Sequence, residues 1–150
     1  MTDPHIPEHV TRLATDALNA AIRDDSRRAG LAIKAISDEA GGEGLAYAVT
    51  AWCDTLILHY RRVTGTPDNA PVRPGWHHAD TGERTTDPGD VPAEARWAGR
   101  VIAARAALDH DAYRALLDSL PEDGAAVGDH VAMLLSVTGL TLRSLLEGMS

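Results

Sequence analysis

From Pro7 the apolar positions Val10, Leu13, Ala14, Ala17, Leu18 and Ala21 recur at intervals of three and four, the spacing that lines one face of an α-helix. Pro7 and Glu8 suit its first turn. Asp24 and Asp25 can cap or break a helix, and beyond them Ala29, Ala32, Ile33 and Ile36 resume the period. The glycine-rich stretch Ser37 to Gly44 predicts a helix–helix turn. A third helix is then predicted from Leu45, with Ala48, Val49, Trp52, Leu56 and Tyr60 on one face, ending near Arg61 and Arg62, whose charges favour a helix C-terminus.

Residues 63–91 have no apolar period and are rich in proline and glycine, with Asp-Pro-Gly at 87–89, so they predict a long irregular connection. Pro92 opens a further helix carrying Trp97, Ala98, Val101, Ile102 and Leu108. Asp109 to Asp111 marks a break, and Tyr113, Leu116, Leu117 and Leu120 follow. Ser119 and Glu122 stand at capping-box spacing ahead of a last helix, about 125–148, with Val127, Val131, Leu134, Leu135, Thr138, Leu142 and Leu145 on one side.

The pattern predicts an all-α compact bundle of about five to six helices, with one helical unit at 7–62, a connection at 63–91 and a second unit at 92–148. A shift of 84 residues places Ala14 on Ala98, Leu18 on Ile102, Asp25 on Asp109, Ile36 on Leu120, Gly44 on Gly128, Ala48 on Ala132 and Leu56 on Leu140. Two readings stay open: a true duplication into two three-helix units, or the ease with which any two alanine-rich amphipathic stretches align. In the first, the third helices of the two units meet at the centre, since neither unit alone covers them. Ala132, Ser136 and Gly139 form a small-residue strip that would admit another helix at close range.

Composition agrees with this reading. Of the 150 residues, 44% are hydrophobic and only 4% aromatic, with no Phe, so the core must be built from aliphatic side chains and alanine at close helix spacing. The formal charge of −8 opposes approach to phosphate polyanions, and nucleic acid is not an expected partner. The apolar run Leu45 to Tyr60 is interrupted by Thr50, Asp54, Thr55 and His59 and falls short of the roughly 20 residues of a membrane span, so no membrane association is expected. No leader sequence is visible at the N-terminus, and the lone Cys53 has no internal disulfide partner. A cytoplasmic location is the expectation.

Chemistry is sparse. His77, His78 and Asp80, beside Trp76, offer imidazole and carboxylate groups that suit a transition-metal ion, although neighbouring side chains of an extended segment point apart and a further ligand would have to come from elsewhere. Asp54 lies inside an apolar run, where an unpaired buried carboxylate is costly. It is read either as a polar group of a pocket with Tyr47 and Thr50, its pKa raised by burial, or as a surface group paired with an arginine. No nucleophile elbow, phosphate-binding glycine loop, paired-cysteine motif or helical zinc motif occurs.

Three functions are therefore weighed. The first is a non-enzymatic helical protein–protein interaction or regulatory module, self-associating or bound to a protein partner, with no cofactor; its candidate surface is Ala132, Ser136, Gly139 and Trp76. The second is a small metal-dependent enzyme in which the 63–91 connection closes as a lid over an inter-helix pocket. The third is an acidic mimic of nucleic acid, for which the charge is the sole support and ordinary solubility a sufficient explanation.

Overall fold

Helix formation follows the apolar period almost everywhere. The computed structural model describes residues 8–65, 76–77, 84–85, 91–121 and 123–148. Five helices are found among them: α1 (Glu8–Ile22), α2 (Ser26–Thr64), α3 (Ala93–Ala106), α4 (His110–Asp118) and α5 (Gly124–Gly148). Two short strands, β1 (Trp76–His77) and β2 (Arg84–Thr85), pair antiparallel, with Trp76 opposite Thr85 and His77 opposite Arg84. The 63–91 connection thus holds a two-residue ladder where the sequence predicted only irregular chain. The architecture is an all-α compact bundle.

The turn predicted at Ser37–Gly44 is instead a kink. Gly41 takes φ 60° and ψ −148°, a conformation open to glycine and strained for any residue with a Cβ. The chain bends at that one residue and helix resumes at once, so α2 runs from Ser26 to Thr64. Ser119 does not begin the last helix, which starts at Gly124. Ser119 closes the end of α4, its Oγ donating to the Leu116 carbonyl at 2.7 Å, while Glu122 lies outside the described residues. Asp123 takes the capping role for α5, accepting from the Ala125 N–H at 3.2 Å.

The corners of the two flanks match at the 84-residue shift. α1 ends at Ile22 and α3 at Ala106; Asp25 and Asp109 follow as N-caps, accepting from the N–H groups of Arg28 and Ala112, both at 3.1 Å. The backbone bonds repeat as well: Asp24 N–H to the Ala21 carbonyl and Asp25 to Ala20 in one corner, Leu108 to Arg105 and Asp109 to Ala104 in the other. Even the left-handed residue recurs, Asp24 at φ 60° and Leu108 at φ 56°. α2 and α5 end at Thr64 and Gly148, again the same shift apart.

Leu108 is the costly member of that pair. Placed by sequence on the apolar face of the fourth predicted helix, it sits instead in the turn, 66% exposed and in a backbone conformation that an aspartate tolerates better than a leucine. Leu108→Asn is therefore expected to raise stability by about 1 kcal/mol, read as a higher urea midpoint with an unchanged slope. A variant no more stable than the parent would show that the turn imposes no strain on the leucine.

The core is one cluster fed by α1, α2, α3 and α5, with Tyr113 of α4. Trp52, Ile36, Leu134 and Leu135 are its largest fully buried side chains, and alanines of α1 (Ala14, Ala17, Ala20, Ala21) form most of one wall. α5 packs against α1, α2 and α3, so the two long helices do share the centre. α5 is also long and apolar enough to cross a membrane by length and composition, yet Val131, Leu134, Leu135 and Leu142 are buried within the bundle. Leu140 and Leu146, which add to its hydropathy, are 48% and 47% exposed.

Candidate functional site

The polar groups expected around Asp54 do not converge on it. Asp54 is exposed, and its carboxylate accepts two hydrogen bonds from Arg105 of α3, from Nε at 2.7 Å and Nη2 at 3.0 Å. This corrects the pocket reading: Asp54 is the surface group paired with an arginine, its side chain 51% exposed beside an Arg105 side chain that is 25% exposed. Tyr47 and Thr50 do not join it. The Tyr47 hydroxyl lies 3.2 Å from Thr11 Oγ1 on α1, and Thr50 Oγ1 lies 2.6 Å from the Tyr113 hydroxyl while donating to the Ala46 carbonyl.

Arg105 and Tyr113 were not legible as site residues, because they reach α2 from more than fifty positions away. The Arg105 guanidinium carbon stands 5.5 Å from the centre of the Tyr113 ring, a cation–π arrangement. Burial pushes the Tyr113 hydroxyl and the Cys53 thiol up to about 12 each. Both are protonated at neutral pH, and neither is an activated nucleophile.

These two groups set the alkaline limit of the fold. Their pKa values are higher folded than unfolded, so the stabilisation is complete below the unfolded values of 9.0 and 10.0 and is lost as pH rises towards about 12. Unfolding free energy is expected to decline from about pH 9 upward. In Cys53→Ala the onset moves up to about pH 10, where Tyr113 begins to titrate when unfolded. Denaturant titrations at a series of alkaline pH values check this, and a parent curve flat to pH 11 would contradict it.

The metal candidates fare differently. His77 lies on β1; His78 and Asp80 lie outside the described residues. Among the described residues no three His, Cys, Asp or Glu side chains stand close enough to hold a metal ion. His130 packs edge-on to Trp97 with ring centroids 5.6 Å apart, and its Nδ1 lies 2.7 Å from the Ala126 carbonyl, a structural role.

The small-residue strip divides. Gly139 is buried against α1, where a Cβ would stand 2.6 Å from the Ala21 Cβ, so the close helix approach foreseen there is made within the chain and is not a surface for a partner. Trp76 belongs to β1. Ala132 and Ser136 are exposed and line an open cleft of about 440 Å³ between the first half of α2 and α5, together with Ala29, Gly30, Ile33 and Met133.

That cleft continues. Gly30, Ile33 and Ala132 also line a second hollow of about 470 Å³, which reaches Leu45 and Val127. Leu45 and Val127 in turn border a third, about 550 Å³, under Tyr113 and Leu117 of α4. The first and third correspond at the 84-residue shift: Ala29, Gly30 and Ile33 stand where the other has Tyr113, Arg114 and Leu117, and Asp129 and Met133 stand where it has Leu45 and Val49. Each lies between the second helix of one flank and the third helix of the other. The result is a trough along one side of the bundle, apolar on its floor.

Comparison with known proteins adds no relative: no family model, no curated protein and no solved structure matches this chain.

Proposed function

We propose that the protein is a non-enzymatic helical interaction module, and that the trough between α2 and α5 is its binding face. The observation that carries this reading is the run of connected clefts, open to solvent and floored by Ala29, Ile33, Leu135 and Met133. A groove between two helices with an apolar floor is what an incoming amphipathic helix needs to bury its own face. The polar groups elsewhere support the absence of catalysis: Asp54 and Arg105 neutralise each other, and Tyr113 and Cys53 hold their protons at neutral pH. The metal-dependent reading rests on His77, His78 and Asp80, of which His78 and Asp80 lie outside the described residues. Covering the trough with a second copy of the chain is the other way to bury it, and the formal charge of −8 on each copy opposes that.

Gly30 gives the test a handle. A Cβ there meets nothing within 4 Å, so Gly30→Leu places a side chain in the open groove without disturbing the core, and glycine at a helix interior position is the poorer helix former. Displayed helical peptides selected on the full chain are expected to lose at least tenfold in affinity for Gly30→Leu while circular dichroism remains that of the parent. Selected peptides that bind both proteins equally would place recognition elsewhere and remove this reading.

A further inference from the structure

The charge distribution around the trough specifies the partner further. We propose that the 440 Å³ cleft receives an amphipathic helix of another protein whose polar flank is basic; the inference rests on the interaction-module reading and adds the chemistry of its partner. Three carboxylates border the cleft, and they come from three separate elements: Asp24 from the corner between α1 and α2, Glu94 from the first turn of α3, and Asp129 from the first turns of α5. Among the described residues no lysine or arginine lines it.

None of the three carboxylates has a side-chain hydrogen bond or ion pair among the described residues, in contrast to Asp54, Asp38 and Glu147, which are each paired with a cation. Arg23 and Arg28, close in sequence to Asp24, line a separate small hollow with Asp16 and Asp25 and do not line this cleft. Asp24, Glu94 and Asp129 do not form a group that could hold a metal ion, so they act as separate rim charges around an apolar floor. Such a rim attracts lysine and arginine side chains that lie along it with their stems on the apolar surface.

The corresponding cleft on the other flank shows that this character is particular to one site. There the carboxylate Asp118 shares its helix with His110 and Arg114, Leu45 stands where Asp129 does, and the Tyr113 hydroxyl crosses to Thr50. In the acidic cleft Ala29 and Gly30 replace the tyrosine and arginine and leave the floor open. The α2 wall runs from Ser26 to Ile33 in this cleft and on to Asp38 in the adjoining hollow, about 18 Å at 1.5 Å per residue, room for about three turns of a docked helix.

The test uses the full chain, labelled with ¹⁵N, and an 18-residue peptide with leucine and alanine at i, i+3, i+4 and i+7 and lysine on its other face. Controls are a glutamate version, an uncharged version, a scrambled peptide of the same lysine content and a lysine version broken by a central proline. The lysine helix is expected to bind at least tenfold more tightly than every control, with amide shifts concentrated at Gly30, Ile33, Ala132, Met133 and Ser136. Asp24→Asn, Glu94→Gln and Asp129→Asn together are expected to lower its affinity to that of the uncharged version, and Gly30→Leu to abolish binding. Circular dichroism and the unperturbed amides verify that the variants remain folded.

The outcomes separate the two levels of the reading. If the glutamate or uncharged helix binds as well as the lysine helix and Gly30→Leu blocks it, the groove is a binding face and the basic partner is wrong. If no helix of any charge shifts the groove amides, both readings fall. Equal binding by the scrambled peptide, or shifts spread over the surface, reduces the effect to non-specific attraction by an acidic protein. A dimer in sedimentation that Gly30→Leu dissociates would make a second copy the occupant, and binding of the unliganded chain to phosphatidylcholine vesicles through the same amides would make it a lipid surface; either overturns the proposal.

Discussion

Trp52→Ala is expected to cost about 3–5 kcal/mol, the range for deleting a fully buried large aromatic side chain. Trp52 is 1% exposed at the meeting of α1 and α2, and its indole Nε1 donates to the Ala14 carbonyl at 2.9 Å. The buried face of α1 is alanine but for Val10, and such short side chains refill little of the space, so the cavity term is large. Against a total stability of roughly 5–15 kcal/mol for a domain of ordinary size, that loss removes a large share of the folded population's margin. Trp52→Phe separates the contributions: it keeps most of the ring and loses the hydrogen bond, with an expected cost of about 1–2 kcal/mol. Urea denaturation of the three proteins measures the series. Equal costs for the two substitutions would mean that the hydrogen bond, and not the packing volume, holds α2 to α1.

The second large effect concerns Gly139, where one methyl group decides whether α5 can lie on α1. An added Cβ would stand 2.6 Å from the Ala21 Cβ, 2.7 Å from its carbonyl carbon and 2.9 Å from its carbonyl oxygen. Because two of these atoms are backbone, no rotamer change relieves the clash, and the helices must separate across the middle of the core. Gly139→Ala is expected to lower stability by about 2–3 kcal/mol despite the better helix propensity of alanine. The same substitution at Gly30 or Gly128, where a Cβ meets nothing within 4 Å, is expected to raise stability by up to about 1 kcal/mol. A stability series in which all three move the same way would show that propensity alone governs these positions.

Both effects arise where alanine and glycine replace the larger side chains of an ordinary core. With no phenylalanine in the chain, the bundle is closed by bringing helix backbones near to each other and setting a few large residues, above all Trp52, Leu134 and Leu135, into the remaining space. The same economy leaves the trough. Where α2 presents Ala29 and Gly30 towards α5, small side chains on both walls cannot fill the interval, and the groove remains open to solvent. A core built from short side chains thus explains both the tight α1–α5 contact and the open α2–α5 cleft.

The sequence by itself determined the helices, their apolar faces and the corners at Asp25 and Asp109, because each depends on side chains within a turn or two of one another: a 3.6-residue period, and a carboxylate accepting from the N–H three residues on. It also carried the 84-residue correspondence, to which the backbone adds bonds that recur at the two corners. Only the tertiary structure decided the fate of Asp54, since Arg105 arrives from another helix, and of Gly139, whose small size serves a contact with Ala21 and not an outer face. The kink at Gly41 belongs there too: a run of glycine permits a turn or a bend, and packing of α2 on α1 and α5 selects the bend. The trough and its three carboxylates were invisible for the same reason. Local pattern fixes which face of a helix is apolar, whereas which faces adjoin, and what gap they leave, depends on residues distant in the chain.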